Sequence, residues 1–130
     1  MPNIIEGVHL TLEGKTEEIH LFNPETLTEL FEELVTALGM RIIHGPTVKD
    51  VEIEVKKLTG ESFKDEGGTS AYCMISTSHI SIHCWPLRKQ CMLDVFSCKY
   101  FDVKVAQNIV EAKLAITSSR VQIIDRHFNF

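Results

Sequence analysis

Val8, Leu10 and Leu12 alternate with His9, Thr11 and Glu13, a period of two that predicts a strand with one buried face. Gly14-Lys15-Thr16 is turn-prone, so Glu17–Phe22 is expected to return as the second strand of a short hairpin. The period then changes. Leu27, Leu30, Phe31, Leu34, Val35 and Leu38 recur at helical spacing behind Asn23 as N-cap, Pro24 at the first helical position and Glu25 in the first turn, with Gly39 as the stop. Met40–His44 and Val51–Lys57 read as strands separated by a Gly45-Pro46 turn, and the polar, glycine-rich stretch Gly60–Gly68 as a mobile loop. Two apolar-rich strands, SAYCMIST and HISIHCW, meet around Ser78, and Cys91–Cys98 forms another after a turn at Pro86–Lys89. Val103, Ala106, Ile109 and Val110 mark a second amphipathic helix within Phe101–Ile116, and a strand through Val121 and Ile123 closes the chain between Ser118 and Phe128.

Strands, helix, strands, helix, strand, joined by hairpin-length connections, predict an α+β fold. The expected form is a two-layer α/β sandwich, a mainly antiparallel sheet with both helices on one face. At 130 residues a single domain over 1–130 is expected, able to bury roughly two thirds of its unfolded surface. The 44% hydrophobic and 24% charged content belongs to an ordinary globular chain and excludes a disordered or fibrous one. No apolar run approaches a bilayer span, and the start MPNIIEGVHL lacks the basic and long apolar regions of a secretory signal, so a cytoplasmic location with no membrane partner is expected. A formal charge of −5 leaves no basic footprint for nucleic acid and suits a small-molecule substrate, a cation included. Cys73, Cys84, Cys91 and Cys98 stand 11, 7 and 7 positions apart, without the C-x-x-C pair that seeds a zinc site, so no metal is expected and the thiols read as reduced, small, buried groups.

The candidate chemistry lies around Ser78. In HISIHCW the strand period sends Ile80, Ile82 and Cys84 to one face and His79, Ser81, His83 and Trp85 to the other. In the next strand Met92, Asp94, Phe96 and Cys98 share a side opposite Leu93, Val95 and Ser97. A Ser, a His and a Cys thereby fall within reach of one side of adjacent strands. Two readings follow from the residues alone: solvent-facing polar positions on a one-sided sheet, or a nucleophile with a neighbouring base.

Ser78-His79-Ile80-Ser81-Ile82-His83 with Trp85-Pro86, followed by Asp94-Val95-Phe96-Ser97-Cys98, resembles the prokaryotic S-adenosylmethionine decarboxylase family, whose pattern is approximately E-S-H-I-S-I-H-T-W-P-E…D-x-F-T-C-G. The likeness is strongest from Gly68 to Cys98 and colinear elsewhere, with His83 and Cys98 five and twenty positions after Ser78, the family's intervals. The resemblance implies a proenzyme that cuts itself between Thr77 and Ser78: the serine hydroxyl attacks the preceding carbonyl, an ester forms, and β-elimination and hydrolysis leave a pyruvoyl group derived from Ser78. It implies His83 as the proton-transfer group in processing, Ser70 as a processing serine, and Cys98 as the acid that protonates the substrate carbon after carbon dioxide leaves. The keto group condenses with the substrate amine as a Schiff base and serves as the electron sink, without metal or diffusible cofactor. On this basis Cys98 is expected in a partly buried setting that leaves it a thiol. The resemblance further implies polyamine biosynthesis and a homodimer whose sheets meet, with a site lined by both protomers.

Three positions depart from the pattern: Thr77 stands for Glu, Lys99 for Gly, and Leu87 for the acid that accepts from the ribose hydroxyls. Trp85 and Leu87 mark the substrate-binding segment, and Phe63 stands one residue out of register with the aromatic that the family stacks on adenine. Losing the ribose acceptor costs about 1–3 kcal/mol, a factor of about ten to a hundred. S-adenosylmethionine remains the first substrate, with arginine or ornithine as the alternative. An unprocessed paralogue that regulates an active subunit is a further one.

Overall fold

The computed structural model describes residues 6–51, 54–58, 61–65 and 67–128, with 54–58 and 61–65 described by backbone. Its elements are β1 (Glu6–Lys15), α1 (Pro24–Leu38), β2 (Ile42–Val51), β3 (Glu54–Leu58), β4 (Glu61–Asp65), β5 (Gly68–Ile75), β6 (Ser78–Trp85), β7 (Gln90–Ser97), α2 (Val103–Lys113) and β8 (Ser118–His127). Six strands form one antiparallel sheet in the order β2-β5-β6-β7-β1-β8, and β3 pairs with β4 apart from it.

The expected sandwich is present. Leu10 and Leu12, Cys73 and Ile75, Ile80 and Ile82, and Leu93 and Val95 turn one sheet face inward, where Leu27, Leu30, Phe31 and Leu34 of α1 and Ala106 and Val110 of α2 bury them. Each large side chain buried there contributes about 1.5–3 kcal/mol, which makes this face the main source of stability. The opposite face carries no helix among the described residues. Asn23 Oδ1 accepts from Thr26 N at 2.9 Å, and Gly39 ends α1 with φ of 67°, as the sequence predicts. The second helix is shorter than expected, because the Asp102 carboxylate caps Lys104 N and Val105 N and fixes the start at Val103.

Three expectations do not hold. Glu17–Phe22 is not a strand: Ile19–Leu21 forms a 3-10 turn, since β1 already pairs with β7 on one side and β8 on the other and has no free edge for a hairpin partner. Gly45-Pro46 is not a turn between strands. β2 runs through it, with shifts in pairing between Ile42 and Thr47, and at this sheet edge a proline without an N–H is tolerated. Finally, Gly60–Gly68 is not a single loop, because Glu61–Asp65 pairs with Glu54–Leu58 as a separate hairpin and Gly68 already begins β5. Of the expected strand Val51–Lys57, Val51 ends β2 and Glu54 begins β3, while 52 and 53 lie outside the described residues.

Candidate active site

Ile75 pairs with Ser78, leaving Ser76 and Thr77 as the two-residue turn between β5 and β6. Thr77 takes φ of 56°. A β-branched side chain in this left-handed region is crowded against its own backbone, at a cost of roughly 1–2 kcal/mol, so strain sits on the residue just before Ser78. Ser76 N–H donates to the Arg41 carbonyl at 3.1 Å and holds the turn against the sheet edge.

Ser78 follows the inward parity of β6 and is 7% exposed. Its hydroxyl oxygen accepts from the backbone N–H of Cys98 at 2.9 Å, which fixes the oxygen beside the Thr77–Ser78 bond. Thr77 Oγ1 stands 3.0 Å from Cys98 Sγ, and the thiol lies 3.6 Å from the Ser76 carbonyl oxygen. The Thr77 hydroxyl, then that of Ser78, hold the Cys98 thiol below its ordinary range against the opposing effect of burial, and the Lys99 charge adds to this. The expectation of an unperturbed thiol is therefore corrected: at this turn two hydroxyls favour the thiolate. Burial instead pushes Cys73 and Cys91 up to about 11 and Cys84 higher still, as befits buried structural thiols.

A residue that sequence reasoning missed anchors this cluster. Ser97 is 0% exposed; its hydroxyl donates to the Lys99 carbonyl at 2.7 Å and accepts from Lys99 N at 3.2 Å, pinning the bend that presents Cys98. Its signal was a hydroxyl at an inward position of β7. Lys99 itself donates through Nζ to the Gly39 carbonyl at the end of α1, 3.1 Å away, a position where a cation meets the negative end of the helix.

Ser70 and His83 form a second cluster on the open face. Ser70 Oγ and His83 Nδ1 are 2.7 Å apart on paired strands, and the imidazole lies 6.1 Å from the Trp85 ring, centre to centre. With Gly68 and Trp85 they line a hollow of about 190 Å³. A Cβ at Gly68, where φ is 137°, would run into the Cys84 carbonyl, so only glycine fits this close approach. Leu87 lies on the turn after β6, 63% exposed. The side chain of Phe63, on β4, lies outside the described residues.

Ser78, Thr77 and Cys98 are thus brought together, and so are Ser70 and His83, but the two groups are not brought to each other. Five residues of strand, about 17 Å, separate Ser78 from His83 along β6. Between them the open face carries His9 Nε2 bonded to Asp94 Oδ1 at 3.0 Å, with His79 and Phe96 packed edge-on around the His9 ring. Beside Thr77 and Cys98 a cavity of about 580 Å³ is walled by Phe96, Phe128 and Arg126, whose guanidinium lies 5.0 Å over the Phe96 ring. Gly7 makes this possible, since a Cβ there would come within 2.7 Å of Phe96 Cε1.

The S-adenosylmethionine decarboxylase family matches residues 8–127 of the chain. An S-adenosylmethionine decarboxylase proenzyme of Pyrobaculum neutrophilum is 38% identical over 53 residues, 40% of this chain and 43% of that protein. An arginine decarboxylase proenzyme of Hyperthermus butylicus is 32% identical over 98 residues, 74% of this chain and 60% of that one. The chain thus spans less than two thirds of the length of either relative. Among solved structures, the adenosylmethionine decarboxylase of Aquifex aeolicus superposes with a TM-score of 0.66 at 19% identity, covering 92% of this chain and 89% of that one, a likeness of fold.

Proposed function

We propose, on the premise that the chain belongs to the S-adenosylmethionine decarboxylase family, that it is a self-processing pyruvoyl-dependent decarboxylase cut between Thr77 and Ser78. The observation that carries this reading is the Ser78 hydroxyl oxygen held by Cys98 N–H at 2.9 Å next to a residue in the left-handed region. Attack of that oxygen on the Thr77 carbonyl exchanges an amide for an ester and releases the crowded backbone of Thr77. Loss of the α-proton of residue 78 then expels the ester oxygen on Thr77, and water replaces the residue-78 nitrogen as ammonia. The keto group so formed supplies an electron sink for the pair released on decarboxylation. Cys98, within the same cluster, delivers a proton to the substrate carbon, and His83 with Ser70 moves the proton in processing.

A homodimer accounts for the separation of the two clusters. A second copy laid open face to open face about a two-fold axis brings its Ser70–His83 end toward this chain's Ser78–Cys98 end. The exposed Tyr72, Met74, Met92 and Ile124 on that face support such a contact, because their apolar surface is otherwise left in water.

S-adenosylmethionine is the first substrate, in a cytoplasmic route to polyamines. The cavity beside Cys98 supports it: Phe96 and Phe128 offer flat apolar walls on which a planar base can stack. Arginine is the second reading, favoured by Leu87, which offers no acceptor oxygen where the family has an acid. Release of carboxyl-labelled carbon dioxide from S-adenosylmethionine, arginine and ornithine, measured side by side on the purified protein, tests this. Turnover is expected to be highest with S-adenosylmethionine; no release from any of the three overturns the reading.

A further inference from the structure

A proton donor must hold its proton, yet in the uncut chain the hydroxyls and the cation beside Cys98 favour the thiolate, against burial and the Ser76 carbonyl 3.6 Å from the sulfur. Thr77 Oγ1 is 3.0 Å from the sulfur, and Lys99 is its chain neighbour. Arg126 of β8 lines the same cavity. No carboxylate lines that cavity among the described residues.

Cleavage changes this balance at one atom group. When the ester breaks by β-elimination, the C–O electron pair departs with the oxygen and the α-proton of residue 78 leaves, so the Thr77 carbonyl, a neutral amide in the uncut chain and then an ester, becomes a carboxylate. The new chain end is tethered one residue earlier, by Ser76 N–H on the Arg41 carbonyl at 3.1 Å and by the Ile42–Ile75 pair of β2 and β5. It therefore stays beside the sulfur that its own side chain touches.

Resting on the self-cleavage reading, we infer that the severed bond arms the catalytic acid: the terminal carboxylate of Thr77 holds Cys98 as the thiol, so the proton donor becomes competent only after the keto group has been made. Thr77 is in this sense a positioning residue for the Cys98 proton. A unit negative charge about 5 Å away, at an effective dielectric between 20 and 80, raises a thiol pKa by roughly half a unit to two and a half units. Lys99 and Arg126 carry the same charge in both forms and cancel in a comparison of the two.

The test is the pH dependence of iodoacetamide labelling at Cys98, followed by peptide mass, in processed wild type and in uncut Ser78→Ala. Both forms lack the Ser78 hydroxyl, so the severed bond is the principal difference. The midpoint is expected roughly half a unit to two and a half units higher in the processed protein, whose kcat is expected to fall on the alkaline side at that same midpoint. Should Ser78→Ala fold poorly, Ser78→Gly, which also stays uncut and lacks the hydroxyl, serves as comparator. A processed protein whose midpoint equals or lies below that of the uncut form overturns the inference alone. A wild-type chain that never cuts overturns this inference and the self-cleavage reading together.

Discussion

Replacing Ser97 by alanine removes one buried hydroxyl and, with it, both fastenings of the bend that presents Cys98. The side chain is fully buried, and its oxygen both donates to and accepts from Lys99, at 2.7 and 3.2 Å. Alanine is nearly isosteric, so no cavity larger than an oxygen is made and the loss is one of hydrogen bonding. Leaving the Lys99 carbonyl and amide unpartnered costs about 1–3 kcal/mol. With a urea slope of about 1–3 kcal/mol per molar, the unfolding midpoint falls by roughly 1 M. The measurement is made in the Ser78→Ala background, where one uncut species is present and a two-state analysis applies. Function gives the second readout. In the otherwise wild-type chain kcat/KM for carbon dioxide release drops at least about tenfold, since a donor misplaced by an ångström loses its alignment. Ser97→Thr keeps the hydroxyl and restores both quantities in large part. A Ser97→Ala protein within about 0.5 kcal/mol of its parent and fully active would refute the assignment of Ser97 as the anchor of Cys98.

In uncut protein at pH 8, Cys98 is alkylated first and Cys84 last, because the Thr77 hydroxyl lowers the former's pKa while burial raises that of the latter; peptide mapping that finds Cys84 modified before Cys98 contradicts the described environments. Leu87→Glu, at a position exposed enough to leave stability unchanged, is expected to raise the ratio of kcat/KM for S-adenosylmethionine over arginine by about ten- to a hundredfold, and an unchanged ratio removes Leu87 from the choice of substrate. Thr77→Gly in the Ser78→Ala background relieves about 1–2 kcal/mol of left-handed crowding against about 0.4–1 kcal/mol of added chain entropy, a net gain of up to about 1.6 kcal/mol by urea unfolding. A loss of stability there would mean that the turn is unstrained.

What the sequence made legible was whatever depends on period and capping. The alternation in Ser78–Trp85 correctly divides Ile80, Ile82 and Cys84 from His79, Ser81 and His83, because the sheet has one covered face and parity alone assigns each side chain. Asn23, Pro24 and Gly39 bound α1 for reasons local to those residues. The failures share a different cause. Glu17–Phe22 looked like a strand, and only the arrival of β7 and β8, both distant in sequence, denies it an edge to pair with. Glu61–Asp65 has no apolar stripe, since β4 pairs outside the main sheet, so the period that marks the other strands is missing. Parity also says nothing of distance. The odd spacing of five puts Ser78 on the covered face and His83 on the open one, about 17 Å apart along β6, so the resemblance and not the period is what grouped them with Cys98. Arg126 and Phe128 escaped notice because β8 is an edge strand, largely exposed along its length, whose pattern distinguishes no functional side.

The most direct measurement is the intact mass of the purified chain, set beside that of Ser78→Ala. The account predicts two polypeptides from wild type, residues 1–77 ending in a free Thr77 carboxylate and residues 78–130 beginning with a borohydride-reducible keto group, and one polypeptide from the variant. A wild-type protein that remains a single chain of 130 residues under native conditions, with the Ser78 hydroxyl intact, contradicts it.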